Sequence, residues 1–290
     1  MTNLIRKSAA VYLLLAVLLT AGMAAAQKPL QAETEGAAIR TEKLASKLMA
    51  RQMPYRVVLP PQYNADSAAR FPVVYLLHGL TGHFDNWTEK TAVGTLADGV
   101  IIVTPEGGDG WYTDSATVTN DKYESYVVTE LIPEIDRKFR TAGGRENRAI
   151  AGLSMGGYGA IKFGLKYPHL FSLVGSFSGA FDAPKRGIGG QKTWPSIASV
   201  YGPDDSPTRK ANDIFVIAGG LAEERVKQLP FIYFDCGTED LLLNTNREFA
   251  ELLVSKKVAH EYRQLPGRHS WPYWEKQIRE FLRLRAGISK

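Results

Sequence analysis

A glycine-flanked serine places the strongest constraint on what this chain can fold into. Residues 152–156 read Gly-Leu-Ser-Met-Gly, directly after the apolar run 149–151 and directly before a helical stretch of small residues. A strand, a tight turn and a helix in this order are typical of a nucleophile elbow, where the serine backbone is strained and the glycines permit close backbone contacts. The pattern predicts that Ser154 lies exposed at the end of a buried strand and at the N-terminus of a helix.

Short apolar runs alternate with helical patterns along most of the chain, which is typical of a doubly wound α/β sheet. The continuous apolarity of most runs predicts parallel strands buried on both faces. The predicted strands are 44–49 and 54–59 as an opening pair, followed by 73–77, 100–103, 149–151, 173–177, 231–234 and 261–265. Apolar residues at near-helical spacing predict helices at 126–139, with a kink or break at Pro133, and at 274–282. Residues 183–228 interrupt this rhythm and are predicted to form a lid-like insertion.

The N-terminus has the three parts of a secretory signal peptide. Arg6 and Lys7 precede an apolar run, and three consecutive alanines then supply a small-residue cleavage site. The run is shorter than the roughly 20 residues that span a bilayer, so we expect cleavage after residue 26 and no stable membrane anchor. Residues 27–41 have no periodicity and are interpreted as a flexible leader. The prediction is therefore an exported protein, periplasmic or secreted, with a single α/β domain at 42–290.

Charge and cysteine usage exclude several classes of protein. The formal net charge is +5 for 290 residues, and two of these charges lie in the signal segment, which is too mild a balance to indicate a nucleic-acid partner. The single cysteine, Cys236, cannot form an intramolecular disulfide and is interpreted as a small buried apolar side chain. No metal-ligand pattern is visible, so a metal site is not expected. The oligomeric state stays open.

A carboxylate and an imidazole that could activate Ser154 follow it in the sequence, in the chain order of α/β-hydrolases. The acid is expected after the strand at 231–234, where Asp240 is preferred to Asp235, which still belongs to the strand, and to Glu239. His269 is the preferred base because it follows the last strand and precedes the final helix. The other histidines lie too early in the chain or at helix and strand ends where a packing role is more common.

A serine hydroxyl is a poor nucleophile at neutral pH, so His269 is predicted to take its proton while Asp240 orients the imidazole. The oxyanion that develops in the reaction needs two positioned donors. The backbone N–H of Met155 follows the nucleophile directly, and the N–H of Leu80 lies in the turn that begins with His78 and Gly79. These two amides are the predicted oxyanion hole.

This ordered set of motifs resembles the esterase D-like family of α/β-hydrolases, over about residues 42–285. The motifs that carry the resemblance are Leu77-His78-Gly79-Leu80, Asn86-Trp87, Trp111-Tyr112, the elbow at 152–157, Gly237-Thr238-Glu239-Asp240, and His269 with Trp271 and Trp274. The family includes esterase D, bacterial feruloyl and acetyl esterases, and the mycolyltransferases. The resemblance implies an α/β-hydrolase fold, cofactor-free acyl chemistry, Ser154, Asp240 and His269 at the triad positions, and Leu80 and Met155 at the oxyanion positions.

Two departures narrow what the resemblance implies. Esterase D proper is a cytosolic enzyme that acts on formylglutathione, whereas this chain carries an export pattern. The mycolyltransferases have a glutamate where this chain has Asp240. The resemblance also suggests Trp111, Tyr112 and Trp271 as an aromatic wall of the substrate pocket, although aromatic side chains near an elbow are often core.

Three functional hypotheses remain. The first is an exported serine carboxylesterase that hydrolyses small acyl or aryl esters, free or linked to polysaccharide, through an acyl-enzyme on Ser154. The second is an acyltransferase that moves the same acyl group to a sugar hydroxyl. The third is a binding protein on a hydrolase scaffold that has lost turnover, because fold alone does not fix function.

Overall fold

The computed structural model describes residues 37–190 and 193–288. The predicted signal peptide at 1–26 and residues 27–36 of the predicted leader lie outside the described residues. Within the described ranges, no helix is both long enough and apolar enough to cross a membrane.

Eight strands of the described chain form one mixed sheet, with the spatial order β1-β2-β4-β3-β5-β6-β7-β8. The strands are β1 (Ala38–Ser46), β2 (Arg51–Leu59), β3 (Val73–Leu77), β4 (Ile101–Pro105), β5 (Arg148–Leu153), β6 (Leu173–Phe177), β7 (Phe231–Gly237) and β8 (His260–Leu265). The first two strands pair antiparallel with each other, and β2 also pairs antiparallel with β4. Every other pairing is parallel, as the continuous apolar runs predict.

The start of the domain differs from the sequence prediction. The leader was predicted to extend to residue 41 and the first strand to cover 44–49, but β1 already begins at Ala38 and ends at Ser46. This edge strand is mostly exposed, so its polar side chains give no apolar signal, and its backbone is instead held by a nine-residue ladder with β2. Five other predicted strands were displaced by one to three residues at one or both ends. The predictions at 54–59, 231–234 and 261–265 were short at one end, 149–151 was short at both ends, and 100–103 began one residue early and ended two residues early.

Helices cover both faces of the sheet, as predicted. They are α1 (Asn86–Lys90), α2 (Tyr123–Ser125), α3 (Ile132–Lys138), α4 (Met155–Lys166), α5 (Pro195–Tyr201), α6 (Pro207–Asn212), α7 (Ile214–Gly219), α8 (Glu223–Val226), α9 (Leu243–Ser255) and α10 (Trp271–Ile288). Buried side chains of α4 and α9 belong to one apolar cluster and those of α1 and α10 to the other. Strand residues alternate between the clusters, so Tyr75 faces the first and Leu76 the second.

Pro133 marks an irregular helix rather than a chain break. A π-helical segment, Tyr126–Leu131, connects α2 to α3, and Pro133 lies in the first turn of α3. Proline cannot donate a backbone hydrogen bond inside a helix, so a change in the hydrogen-bonding pattern just before it is the expected accommodation. The predicted kink or break is thus a local change from π to α geometry.

The segment 183–228 separates β6 from β7 and contains the short helices α5 to α8. Asn212, at the end of α6, connects this segment to α4. Its carbonyl accepts a hydrogen bond from Tyr158 Oη at 2.7 Å, and its Oδ1 accepts one from Lys162 Nζ at 3.2 Å. Lys162 is fully buried and also contacts Tyr112, Thr113 and Glu124. Burial lowers the pKa of Lys162 to about 8, although Glu124 opposes that shift. The insertion is therefore anchored through a buried polar junction.

The parallel strands place the predicted site residues at one edge of the sheet. The turn at 78–82 follows β3, Ser154 follows β5, Asp240 follows β7 and His269 follows β8. Strands that run in the same direction have their carboxyl ends at the same edge, which is where ligands bind in open α/β sheets. Four separate loops thus converge on one place.

Candidate active site

Ser154 occupies the tight turn between β5 and α4. Its φ is 53° and its ψ is −115°, a conformation that non-glycine residues rarely adopt and that costs of the order of 1–3 kcal/mol. Neighbouring backbone holds it there: its amide donates to the Phe177 carbonyl at 2.9 Å, and its carbonyl accepts from the amides of Tyr158 and Ala180. These main-chain hydrogen bonds therefore fix the backbone that carries the serine side chain.

Two glycines of the elbow lie so close to neighbouring backbone that neither position has room for a side chain. A Cβ on Gly152 would lie 2.5 Å from the carbonyl oxygen of Gly156, and one on Gly156 would lie 2.5 Å from the carbonyl oxygen of Leu77. Both contacts are with backbone, which cannot rotate away. The elbow is consequently packed directly onto β3 and the turn that follows it.

We expect Gly156→Ala to destabilise the protein by about 1–3 kcal/mol, since an overpacked core must shift its backbone. The same shift would displace the amide of Met155, so kcat should also fall. Thermal unfolding and ester hydrolysis measure the two effects. Gly219→Ala is the matched control because a Cβ on Gly219 meets no atom within 4 Å. Equal melting temperatures for the two variants would contradict this packing argument.

His269 connects Ser154 to Asp240 by two hydrogen bonds. The imidazole Nε2 lies 3.0 Å from Ser154 Oγ, and Nδ1 lies 2.8 Å from Asp240 Oδ2. The ring rests against the edge of Trp274, with centroids 4.8 Å apart and planes at 90°. With Nδ1–H donating to the carboxylate, Nε2 is left as the acceptor for the serine hydroxyl. The structure thus brings together the hydroxyl, imidazole and carboxylate that the sequence singled out.

Asp240 is held as a carboxylate in a buried position. Its side chain is fully buried, which by itself would raise its pKa, but the hydrogen bonds from His269 and from the Leu242 amide lower the pKa below the usual aspartate value. A lowered pKa keeps the group ionised through the neutral range. Asp235 and Glu239, the alternatives considered from sequence, bind elsewhere: Asp235 accepts from Tyr273 and Glu239 from Arg268.

The side chain of His78 stabilises the turn after β3 through two hydrogen bonds. The Gly107 amide donates to His78 Nε2 at 2.8 Å, so Nδ1 carries the proton and donates to the Gly79 carbonyl at 2.8 Å. A Cβ on Gly79 would lie 3.5 Å from the Cβ of Ser154, which places this turn beside the serine. The next amide, that of Leu80, makes no hydrogen bond within the described ranges.

Met155 supplies a second amide beside the serine. It is the first residue of α4, and the first N–H groups of a helix lack carbonyl partners within the helix. The positive end of the helix dipole adds to the field at this point. The two predicted oxyanion-hole residues thus adjoin the serine, Met155 as the next residue in the chain and Leu80 as the residue after Gly79.

A cleft of about 720 Å³ opens above these groups. Its wall includes Ser154, His269 and Leu80, and the aromatic residues Trp194, Trp271 and Trp274. The remaining lining residues are Gly79, Thr81, Gly82, Asn86, Lys90, Leu153, Ser270 and Pro272. Among the described residues, no three His, Cys, Asp or Glu side chains are grouped as a metal site.

The three aromatic residues suggested for the pocket wall have different places in the structure. Trp271 lines the cleft, but Trp111 and Tyr112 are buried in the core and are not among the described residues that line it. Tyr112 donates its hydroxyl to the His78 carbonyl at 3.2 Å, and Trp111 packs against Trp194 with centroids 5.6 Å apart. The prediction that these two residues form part of the pocket wall was wrong. They instead contact groups that reach the cleft.

Sequence reasoning missed Trp194, the residue that the insertion contributes to the cleft. It is 36% exposed, packs on Trp111 and lies under the Arg186 guanidinium at 4.4 Å from its ring centroid. No local pattern marks it, because its position depends on how the insertion folds back. Predicting its contact with Trp111 would have required knowledge of the fold.

Comparison with known proteins identifies the family. Residues 46–284 match the family model described as "Putative esterase", so the chain belongs to this esterase family. An acetyl esterase of Caldicellulosiruptor saccharolyticus is 28% identical over 248 residues, covering 80% of this chain and 92% of the relative. An esterase of Mycobacterium tuberculosis is 32% identical over 242 residues, or 73% of this chain, and the chain spans about half (51%) of that relative's length.

Solved structures agree with the α/β-hydrolase fold. A ferulic acid esterase superimposes with a TM-score of 0.77 at 30% sequence identity, covering 88% of this chain and 99% of that structure. The strand order, the elbow and the fold neighbour together define an α/β-hydrolase of the esterase family.

Proposed function

We propose that this chain is an exported serine carboxylesterase that hydrolyses small acyl or aryl esters through an acyl-enzyme on Ser154. The observation that carries the proposal is the unbroken hydrogen-bond chain from Ser154 Oγ through His269 to Asp240, set at the wall of an open cleft. Nucleophile, base and orienting acid at these distances form the arrangement required for nucleophilic acyl transfer.

In the first step Ser154 Oγ attacks the ester carbonyl carbon while its proton passes to His269 Nε2. Asp240 stabilises the imidazolium that forms and keeps the ring oriented. The carbonyl oxygen becomes an oxyanion, and the amides of Leu80 and Met155 donate to it. Losing one such donor typically costs about a hundredfold to a thousandfold in kcat.

Collapse of this intermediate breaks the bond to the alcohol oxygen, which leaves with the proton from His269. The acyl group then remains on Ser154 Oγ. A water molecule gives a proton to His269 Nε2 and attacks the acyl carbon, and a second oxyanion forms between the same two amides. Its collapse releases the carboxylic acid and returns the proton to Ser154.

Several observations support ester substrates with small acyl or aryl groups. Trp194, Trp271 and Trp274 give the cleft flat apolar surfaces on which an aryl ring or a sugar could rest. The similar proteins include an acetyl esterase and a ferulic acid esterase, so both groups are proposed, free or linked to polysaccharide. Export rests on the N-terminal sequence pattern.

A panel of esters tests the proposal on the full chain. We expect turnover of 4-nitrophenyl acetate, methyl ferulate and acetylated xylan, and a covalent adduct of a fluorophosphonate probe on Ser154. Turnover with an added sugar acceptor, analysed for acylated sugar, separates hydrolysis from transfer. A folded protein that hydrolyses none of these esters and takes no label would instead support the non-catalytic binding hypothesis, and acylated sugar as the main product would support the acyltransferase.

A further inference from the structure

Lys90 brings a permanent positive charge to the cleft. It is the last residue of α1, it is exposed, and it lines the same cleft as Ser154. Its ammonium lies 5.8 Å from the ring centroid of Trp271, within the range of a cation–π contact. Lys90 is the one lysine or arginine among the described residues that line the cleft. No Asp or Glu is among them, and His269 is the other titratable lining residue.

Two acidic residues close to Lys90, Glu89 and Glu275, are each paired with an arginine. Glu89, its neighbour in sequence, pairs with Arg56 at 3.2 Å. Glu275 accepts from the Ala92 amide at 3.3 Å and from Arg279 at 3.1 Å. Within the described ranges Lys90 has no ion pair, and no Asp or Glu is among the described residues that line the cleft. Two further carboxylates that adjoin lining residues are already hydrogen-bonded, Asp85 to the Asn86 side chain at 3.1 Å and Asp109 to the Thr81 amide at 2.7 Å.

We infer that Lys90 is a specificity-determining residue that recognises a carboxylate on the ester substrate. The inference rests on the proposed esterase function and narrows its substrate class to esters that carry a negative charge on the acyl or the alcohol part. An ammonium beside an apolar ring suits this class, because the ring of Trp271 can cover the organic part while the charge pairs with the carboxylate.

The contact lies at the rim, so its effect is on ground-state binding. Removing an interaction that substrate and transition state share raises KM and leaves kcat nearly unchanged. For an exposed pair of charges we expect about a twofold to fivefold change in KM, which high salt should largely abolish. The reaction itself, with Ser154 and His269, does not depend on this charge.

Two matched pairs of esters test the inference. Mono-4-nitrophenyl glutarate and 4-nitrophenyl pentanoate differ in charge on the acyl side, and 4-acetoxybenzoate and 4-acetoxybenzamide differ on the alcohol side. We expect the wild-type protein to prefer the anionic member of at least one pair. Lys90→Met should reduce that preference about twofold to fivefold through KM, and Lys90→Arg should retain most of it.

A control variant and the pattern of hydrolysis separate this inference from the esterase proposal. Lys43→Met removes the same charge from exposed β1, outside the cleft lining, and should leave both preferences unchanged. Hydrolysis of the neutral esters with no charge preference in either pair, or a preference that survives Lys90→Met, would overturn the role of Lys90 while leaving the esterase proposal intact. If the protein hydrolyses none of the four esters, both the role of Lys90 and the esterase proposal are overturned.

Discussion

Replacing Ser154 by alanine is expected to lower kcat/KM for 4-nitrophenyl acetate by about 10⁴-fold or more, since residues of such a triad act as a unit and removing the nucleophile leaves only binding and oxyanion stabilisation. The change deletes a single oxygen that bonds to His269 at 3.0 Å. The fold should remain, because the strained backbone at this position is held by main-chain hydrogen bonds rather than by the hydroxyl. Initial rates and circular dichroism measure the two parts of the prediction.

Ser255→Ala provides the matched control for this experiment. Ser255 is an exposed residue at the end of α9, and its hydroxyl only donates to the Leu252 carbonyl. We expect wild-type turnover from it. A well-folded Ser154→Ala protein with unchanged turnover would refute the nucleophile assignment, and so would fluorophosphonate labelling that persists at the same stoichiometry.

Replacing Asp235 by asparagine is expected to remove a pH-dependent contribution of up to about 6 kcal/mol to the free energy of unfolding, at about 1.4 kcal/mol per unit of pKa change. Asp235 is completely buried in β7 and accepts a hydrogen bond from Tyr273 at 2.9 Å. Burial raises its pKa to about 8, although the Tyr273 hydrogen bond opposes the shift. The folded protein therefore holds a proton that the unfolded chain, with the ordinary aspartate pKa near 3.8, releases.

The direction of the effect follows from this proton. Asp235 favours folding most at pH values below the unfolded pKa, and its contribution declines as the pH rises from about 4 to about 8. Asparagine does not titrate, so the variant should gain stability relative to wild type across that window. Urea unfolding at intervals from pH 4 to pH 9 gives the difference curve. Asp205→Asn, at an exposed turn, should give a flat curve, and a flat curve for Asp235→Asn would contradict the prediction.

The sequence predicted the centre of the sheet well because burial on both faces leaves a direct apolar signal. The bounds of β3 and β6 agree with the predicted ranges to the residue. The opposite case is β1, whose exposed polar side chains resemble a leader, and whose strand geometry comes from pairing with β2. Local composition cannot report a partner that lies elsewhere in the chain.

The candidate site was likewise predicted in part. Ser154, Asp240 and His269 could be selected because each follows a predictable strand in a known chain order, and the structure places them within hydrogen-bonding distance. Trp111 and Trp194 show where this reasoning fails. Residue type indicates that an aromatic ring will be buried, but only the folded insertion determines that the first packs behind the second rather than facing the cleft.

The buried junction at Asn212 has a consequence for engineering. The insertion supplies Trp194 to the cleft and is therefore the natural segment to exchange when a different substrate range is wanted. An exchanged segment without an amide side chain at position 212 would remove one of the four acceptors around the fully buried Lys162 ammonium, and with it a side-chain hydrogen bond between the insertion and α4. Segment swaps in this protein should therefore retain Asn212 and vary the loop around Trp194, so that new selectivity is not obtained at the expense of the helix that carries the nucleophile.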